Sequence, residues 1–376
     1  MTLRVAFDAT SLLEAQTGVG TMASSYLEGL ARRSELEMVA FAVSLRGRGA
    51  LKDVVPQGVS VAERTIPARV AREAWLRADL PTVRAFTGQV DLVHGPNFVA
   101  PPGGKAAELI TVHDLTAVHF PKMCTSDVLQ WPTLLRRAAR RGAWVHAVSN
   151  FVAAEINEAF PELDGRVVAI PNGTVPPPAP SPDSDSGAGM RLAGGERYIL
   201  AIGTLEPRKD FPSLVRAFDA LAAEDRELRL VMAGSDGMAA DEVEESIDAA
   251  FHRDRIVRLG RVDEAQRWAL YRGACVVAYP SRYEGFGLVP LEAMAAGTPV
   301  VSTRVGAITE VVGDAGVLVE PNNSDALAEG LGEVLGDERL AESLVAAGSV
   351  RVARYQWSSA VEAMAQLYCR AVDAPG

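Results

Sequence analysis

The stretch Ser281-Arg-Tyr-Glu284-Gly285-Phe286-Gly287-Leu288-Val-Pro290-Leu-Glu292-Ala-Met-Ala-Ala-Gly297-Thr-Pro299-Val-Val301 decides how the chain is read. It follows Ala274–Tyr279, an apolar run with the composition of a buried strand, and leads into a second such run at Pro299–Ser302. Between them lie a glycine-bearing loop and a helical pattern over Pro290–Ala296. Apolar strands that alternate with helices imply parallel sheets covered on both faces.

The same alternation runs outward in both directions. In the second half, strands are predicted at Tyr198–Ile202, Leu228–Ala233 and Ile256–Leu259, besides the two already named. Helices fit Pro212–Ala223, Ala240–Phe251, Glu264–Arg272 and Ser324–Leu335. In the first half, strands are predicted at Leu3–Asp8, Met38–Ser44, Asp91–His94, Glu108–His113, Ala143–Val148 and Val167–Ile170. Helical spacing falls at Gly20–Arg33, Thr133–Arg141 and Asn150–Phe160. The clearest boundary is Thr174–Gly195, where Pro176, Pro177, Pro178, Pro180 and Pro182 precede Ser-Asp-Ser-Gly. That composition resists both helix and central strand. The expected organisation is therefore an α/β unit over 1–175, an exposed linker over 176–195 and a second α/β unit over 196–355. A last helix in 356–376 is expected to cross back to the first unit. Two open sheets of this kind are expected to form a cleft, with ligands outside the carboxyl ends of the strands.

Composition narrows the function classes. The chain has 376 residues, 48% hydrophobic and 23% charged, as expected of a globular protein of two or three domains. No apolar run approaches the roughly 18 residues needed to span a bilayer. The N-terminus reads as a strand, with no basic stretch followed by an apolar segment, so no secretory signal is expected. Three widely spaced cysteines, Cys124, Cys275 and Cys369, form neither a disulfide framework nor a zinc knuckle, which fits a reducing cytoplasm. The net charge is −11. Residues 1–180 hold 18 Lys and Arg against 17 Asp and Glu, and the remainder 19 against 31. So acidic a chain is a poor general nucleic-acid binder.

Two loops carry the chemistry. Gly285 and Gly287 let the backbone approach a ligand, and the amides of a helix start suit an anion. Glu284 and Glu292, with seven residues between them, bracket that site. Carboxylates are acceptors only, suited to the paired hydroxyls of a sugar or ribose. The second loop is Ala201-Ile-Gly203-Thr-Leu-Glu206-Pro-Arg208-Lys209-Asp210, where a basic pair follows a strand beside a helix start. Arg can grip phosphate with two prongs and Lys acts as a point charge. Each loop also admits a plainer reading, in which Glu292 is an ordinary helix residue, the glycines form a turn and the basic pair is solvated.

Together the two loops resemble the retaining glycosyltransferases of family 4, which have the GT-B fold: two Rossmann-like domains facing across a cleft, which implies acceptor binding by 1–175 and nucleotide-sugar binding by 196–355. The resemblance extends over nearly the whole chain, through Gly18-Val19-Gly20, Thr111-Val-His113-Asp114, Ala147-Val-Ser149-Asn and Ile170-Pro171-Asn172-Gly173. It implies that Glu292 holds the ribose of a nucleotide-sugar donor and Glu284 the hydroxyls of the transferred sugar. Gly203, Gly285 and the backbone at Phe286, Gly287 and Leu288 would lie at the donor, with Arg208 and Lys209 neutralising the departing diphosphate. Gly20 would approach the diphosphate from the first domain, and His113 would face the transferred sugar. Retention of configuration is implied, with the leaving phosphate accepting the acceptor's proton. One departure is Thr204, where many relatives have Arg. The wording of the motifs looks most like mannosyl- or rhamnosyl-type members, so GDP-mannose is the first expectation for the donor, and a glycan or lipid-linked molecule for the acceptor.

No metal or other cofactor is expected. The only Asp-x-Asp, Asp183-Ser-Asp185, lies in the expected linker rather than after a strand, and His94, His113 and His119 lack a third-ligand pattern. Asp114 reads as a structural carboxylate bonded to backbone. Gly18-Val-Gly20-Thr-Met-Ala23 matches a dinucleotide pattern, so an NAD(P)-dependent oxidoreductase is the rival reading, although ten residues separate it from the first strand. A sugar phosphorylase on the same architecture is a second rival, and a catalytically silent sugar-nucleotide binder a third. Arg64–Phe86 and the helix bearing Arg136, Arg137, Arg140 and Arg141 are basic and partly amphipathic. They suit peripheral contact with an anionic membrane, or the solvated faces of packed helices. The expected location is cytoplasmic.

Overall fold

Seven short apolar runs in the first half become parallel strands: β1 Leu3–Asp8, β2 Leu36–Phe41, β3 Ser60–Val61, β4 Leu92–Gly95, β5 Ala107–Val112, β6 Trp144–Ala147 and β7 Val167–Ala169. Their order in the sheet is β3-β2-β1-β4-β5-β6-β7. The computed structural model describes residues 2–13, 17–44 and 49–374. Helices α1 Gly18–Ala31, α2 Ala68–Arg77, α3 Trp131–Arg140 and α4 Asn150–Ala159 cover the sheet. Both faces are therefore buried, and the strands carry apolar residues at consecutive positions, such as Val5, Ala6 and Phe7 on β1.

A second sheet of six parallel strands has the order β10-β9-β8-β11-β12-β13. Its strands are β8 Tyr198–Ile202, β9 Arg229–Ala233, β10 Ile256–Gly260, β11 Val276–Tyr279, β12 Val300–Thr303 and β13 Val317–Val319. Its helices are α5 Ser186–Ala193, α6 Phe211–Glu224, α7 Ala240–Ala249, α8 Glu264–Gly273, α9 Leu288–Ala295, α10 Ser324–Gly336 and α11 Glu338–Val352. The final helix, α12 Trp357–Asp373, returns to the first unit, which comprises Met1–Gly173 and Gln356–Gly376; the second is Thr174–Tyr355. In each sheet the first strand lies between its second and its fourth, so the winding reverses there. At such a switch point the loops on either side diverge and leave a crevice at the carboxyl ends of the strands.

Part of the stretch read as linker is folded. Asp185 caps α5 by accepting from the Ala188 amide at 2.7 Å, and Gly194 ends the helix in the left-handed conformation. The helix packs on α8 so closely that a Cβ at Gly189 would fall 2.1 Å from the Ala269 carbonyl oxygen. It is packed on a helix distant in sequence, which is why local composition concealed it. The strands β3 and β13 are too short to show a period. Helix α11 buries only Leu344 and Gly348, so it lacks a strong apolar stripe.

The C-terminal helix is held to the first sheet by a chain of buried side chains. The His146 Nε2 lies 2.8 Å from the Ile170 carbonyl, which can only accept, so Nε2 carries the proton and donates. Nδ1 must then accept from the Thr111 hydroxyl at 3.0 Å. Thr111 Oγ1 in turn accepts from His94 Nε2 at 2.8 Å, which leaves His94 Nδ1 to accept from the Tyr368 hydroxyl at 2.7 Å. One carbonyl thus sets the direction of four hydrogen bonds from α12 to the end of β7, with both imidazoles neutral. Burial pushes His94 well below its ordinary range and His146 down to about 4.

In the unfolded chain these imidazoles titrate near 6.5. Above that pH neither state binds the protons, and stability is flat with respect to them. Below it, unfolded imidazoles charge while folded ones stay neutral. Unfolding is then favoured increasingly until about pH 4, where His146 protonates within the fold. The expected melting temperature is constant just above pH 6.5 and falls steadily between 6.5 and 4; a flat profile across that window would contradict the neutral chain. Tyr368→Phe should cost about 1–3 kcal/mol in denaturant unfolding, because it leaves His94 Nδ1 buried without a donor.

Candidate active site

In the second unit, the loops after β8 and β11 meet at the point where the sheet reverses. They are tied together first through backbone and a buried acid. The Arg282 amide donates to the Arg208 carbonyl at 2.7 Å, and the Arg282 guanidinium to Asp210 Oδ1 at 2.7 Å. Asp210 starts α6 at φ 50°, an uncommon conformation for a residue with a Cβ.

Glu284 is the centre of this junction. Its Oε1 accepts from Arg208 Nη1 at 2.5 Å, from Lys209 Nζ at 2.5 Å and from Ser281 Oγ at 3.0 Å. Lys209 Nζ also donates to the Tyr279 hydroxyl and lies 4.3 Å from the centre of that ring. Burial alone would raise the Glu284 carboxyl; Arg208 and then Lys209 outweigh it and hold the group at about 2. The acid is therefore ionised throughout the neutral range. Its backbone is fixed as well: its carbonyl accepts from the Ala307 amide at 3.0 Å, and a Cβ at Gly306 would come within 2.3 Å of that oxygen.

The chain then turns into α9 through Gly285, Phe286 and Gly287. Phe286 is buried with its ring edge-on to Tyr355, at 5.8 Å between centres. Gly287 precedes the first helical residue, Leu288, at φ 120°, a conformation that favours glycine, and no side chain caps the helix. Such an end presents backbone N–H groups and the positive pole of the helix. On α9, Glu292 Oε1 accepts from Arg267 Nη1 at 2.7 Å and Oε2 from the Tyr271 hydroxyl at 3.0 Å, both from α8. Burial raises the Glu292 carboxyl against the pull of Arg267. Gly203 follows β8 beside the lysine, and a Cβ there would stand 3.8 Å from Lys209 Cε.

The remaining candidates belong to the first unit. His113 follows β5 and Nε2 donates to the Pro96 carbonyl at 2.8 Å; burial lowers its pKa, so it is neutral at physiological pH. Asp114 accepts from the Thr116 amide at 2.9 Å, the structural role expected of it. Gly20 lies in the first turn of α1, and its amide donates to the N-cap Thr17 at 3.1 Å. A 3-10 turn over Thr10–Leu13 follows β1, so Gly18–Ala23 is the opening of a capped helix well removed from the strand, unlike a dinucleotide loop. Among the described residues, no group of three or more His, Cys, Asp or Glu is placed to hold a metal, and Asp185 is a helix cap.

The family model for glycosyl transferases group 1 matches residues 188–351, and that for glycosyltransferase family 4 matches 17–176. The chain is 30% identical over 295 residues to an O-antigen chain mannosyltransferase B of Escherichia coli, covering 77% of this chain and 74% of that one. The chain belongs to glycosyltransferase family 4. Among solved structures, sucrose-phosphate synthase from Thermosynechococcus elongatus superposes with a TM-score of 0.79 at 23% identity, over 98% of both chains. Anabaena HepE in complex with UDP and glucose gives 0.74 at 19%, over 98% of this chain and 100% of that one. The fold is GT-B, built on two parallel-sheet Rossmann-like domains, and the oxidoreductase reading finds no support.

In this glycosyltransferase, sequence reasoning located the two acids, the basic pair and the glycine loop, but missed what holds them. Ser281 opens the quoted stretch and Tyr279 lies two residues before it, and both were legible as polar residues at a strand end. Arg267 and Tyr271 come from a helix 21 to 25 positions away, with no spacing signal. Thr204 pairs with Ser235 at 3.3 Å and supplies no charge, so Arg208 and Lys209 are the cations of this loop. The basic helix α3 is largely committed internally: Arg137 and Arg141 bind Asp79, Arg141 also binds Glu108, and Arg136 lies over the Phe160 ring.

Lys209→Met should destabilise the protein by about 1–3 kcal/mol, because Glu284 keeps only one of its two cations in a buried setting. Adding Glu284→Gln to that variant should recover part of the loss. Strict additivity of the two substitutions in denaturant unfolding would show that they do not share the ion pair.

Proposed function

We propose that the enzyme transfers a hexosyl residue, of mannosyl or rhamnosyl type, from a nucleotide-diphosphate sugar to a glycan or lipid-linked acceptor, with retention of configuration and without a metal. The observation that carries this reading is the cluster of Arg208, Lys209 and Glu284 beside the uncapped start of α9. Breaking a sugar–diphosphate bond builds negative charge on the leaving group. Fixed cations and helix-end amides at that position lower the barrier without reorganising. A diphosphate would draw Arg208 and Lys209 partly from Glu284, freeing lone pairs of that carboxylate for sugar hydroxyls. Glu292, already oriented by Arg267 and Tyr271, keeps acceptor capacity for a ribose diol. His113, neutral and with Nε2 committed to Pro96, is suited to facing a sugar hydroxyl or the cationic ring rather than to carrying charge. Gly203, Gly285, Phe286, Gly287 and Leu288 would bring backbone to the donor, and Gly20 would approach it from the first domain.

A mannosyl donor is supported by the similarity to the O-antigen chain mannosyltransferase, and GDP-mannose is the first donor to try. That relative's name also points to envelope glycan synthesis as the setting. A nucleoside diphosphate is supported by the UDP bound to HepE. No helix among the described residues is long and apolar enough to cross a membrane. Contact with an anionic membrane rests on α2 and the segment after it, where Arg69 is exposed and Val70 and Leu80 are 59% and 64% exposed. Equal co-sedimentation with neutral and anionic liposomes would remove that part of the reading. A phosphorylase would instead release a sugar phosphate only when phosphate is supplied.

Thermal-shift titration with GDP-, UDP-, dTDP- and ADP-sugars, followed by product analysis, tests the proposal. Glu292→Ala should weaken the binding of the preferred donor about 10-fold or more. Arg208→Ala with Lys209→Ala should slow transfer about 100-fold or more. Activity should survive a chelator; strict dependence on an added divalent ion, or unchanged kinetics in both variants, would refute this site.

A further inference from the structure

Lys209 stands between two residues that a single arginine holds. The Arg282 amide donates to the Arg208 carbonyl at 2.7 Å, and Arg282 Nη2 donates to Asp210 Oδ1 at 2.7 Å. Arg282 belongs to the loop after β11, two residues before Glu284, so the acid and the grip on its cations come from one short segment. Lys209 Nζ reaches Glu284 Oε1 at 2.5 Å and the Tyr279 hydroxyl through a four-carbon stem. Such a stem is flexible, so the place of the ammonium depends on the backbone that carries it.

Asp210 forgoes three local advantages to meet Arg282. It is the N-cap of α6, where an aspartate ordinarily accepts from an amide of the first turn, yet its side chain makes no cap. It stands at φ 50° and ψ 41°, in the left-handed region that is costly for a residue with a Cβ. It is 1% exposed, and its Oδ2 has no hydrogen-bond partner among the described residues; the same holds for Arg282 Nε. A buried carboxylate that gives up its cap, a relaxed backbone and half its bonding capacity is poorly explained by stability. Outliers of this kind concentrate where a function needs a fixed geometry.

We propose that Arg282 and Asp210 are a positioning pair: without touching the donor, they hold residues 208–210 so that Arg208 and Lys209 stand at the leaving diphosphate. For its effect on rate this rests on the glycosyl-transfer reading above. Breaking the pair leaves the Asp210 carboxylate buried without its arginine, a costly state that the residue relieves by leaving the left-handed region. Lys209, its neighbour in the chain, moves with it. Cations displaced by about 1 Å from a developing charge can cost about 100-fold in rate. The contacts assigned to Glu292 and the start of α9 are untouched, so the loss falls on kcat more than on KM.

The test reads Lys209 directly. The chain has four lysines, of which Lys52, Lys105 and Lys122 are exposed and Lys209 is buried. In the full chain without donor, heteronuclear NMR at neutral pH should show one protected ammonium signal, assigned to Lys209 by its loss in Lys209→Arg. Asn tolerates the left-handed region as Asp does, so Asp210→Asn removes the charge pair alone. Arg282→Ala and Asp210→Asn should each speed exchange of that signal at least about 10-fold. Arg282→Lys keeps a charged donor and should stay within about threefold of the wild type. With the preferred nucleotide sugar, the first two variants should lower kcat at least about 10-fold while KM changes less, and Arg282→Lys should recover most of the rate. Backbone amide spectra check that each variant folds, and Asp210→Asn carries the comparison if Arg282→Ala does not. No protected Lys209 signal in the wild type, unchanged exchange in Asp210→Asn, or Arg282→Lys as impaired as Arg282→Ala overturns the proposal. So does full activity in Asp210→Asn beside a slowed Arg282→Ala, which would make Arg282 a ligand contact instead. If exchange follows these expectations but no nucleotide sugar reacts with the wild-type chain, the transfer reading fails and the positioning pair stands.

Discussion

A buried carboxylate shared by two cations is the constraint around which the second unit is arranged. Burial of Glu284 works against its ionisation. Arg208 and Lys209 reverse that, but only because they reach one oxygen from a neighbouring loop. The loops come from β8 and β11, strands 74 residues apart in sequence that lie side by side because the sheet changes its winding direction there. The charge cluster is thus a consequence of topology. In turn the cluster keeps two cations clustered and oriented, a state that would be self-repelling without the acid between them. An anionic ligand arriving there meets a positive site whose geometry is already set.

The first unit repeats the scheme with different chemistry. There too the loop after the first strand meets the loop after the fourth, and there too a residue with a Cβ occupies the left-handed region: Phe98 in one unit, Asp210 in the other. In both, a hydrogen bond to a neighbouring segment accompanies this conformation. The Phe98 amide donates to the Thr111 carbonyl at 2.8 Å, and Asp210 binds Arg282. What differs is the lining: charge converges at one reversal point and aromatic surface at the other.

How much of this was legible in the sequence follows the range of the interactions. Buried parallel strands show as continuous apolar runs, so β1 and β8 are delimited at the same residues by sequence and structure. Elements whose stability comes from a distant partner are not visible in this way. Helix α5 exists because Gly189 and Gly273 let it and α8 touch, and nothing within 176–195 announces that. In the site, Glu284, Glu292, Arg208 and Lys209 could be singled out by residue type and loop context. That Arg267 and Tyr271 orient Glu292, or that Tyr368 fixes the protonation of His94 from the far end of the chain, depends on pairings between segments 21 to 274 residues apart, which no local pattern reveals.

The charge distribution shows why local arrangement outweighs totals. The half of the chain that carries the anion-seeking loop is also the acidic half, with 19 basic against 31 acidic residues over 181–376. Many of those acids lie on exposed helix surfaces, where Glu242, Glu244 and Glu245 of α7 face solvent. Beyond a Debye length of about 8 Å at physiological salt, such charges are largely screened. Lys209 is nearly buried, so its field at a ligand touching it is screened far less. Overall acidity disfavours contact with polyanions, while two shielded cations and a helix end set a local field of the opposite sign. Net charge and local field can therefore differ in sign, because burial decides which charges act at short range.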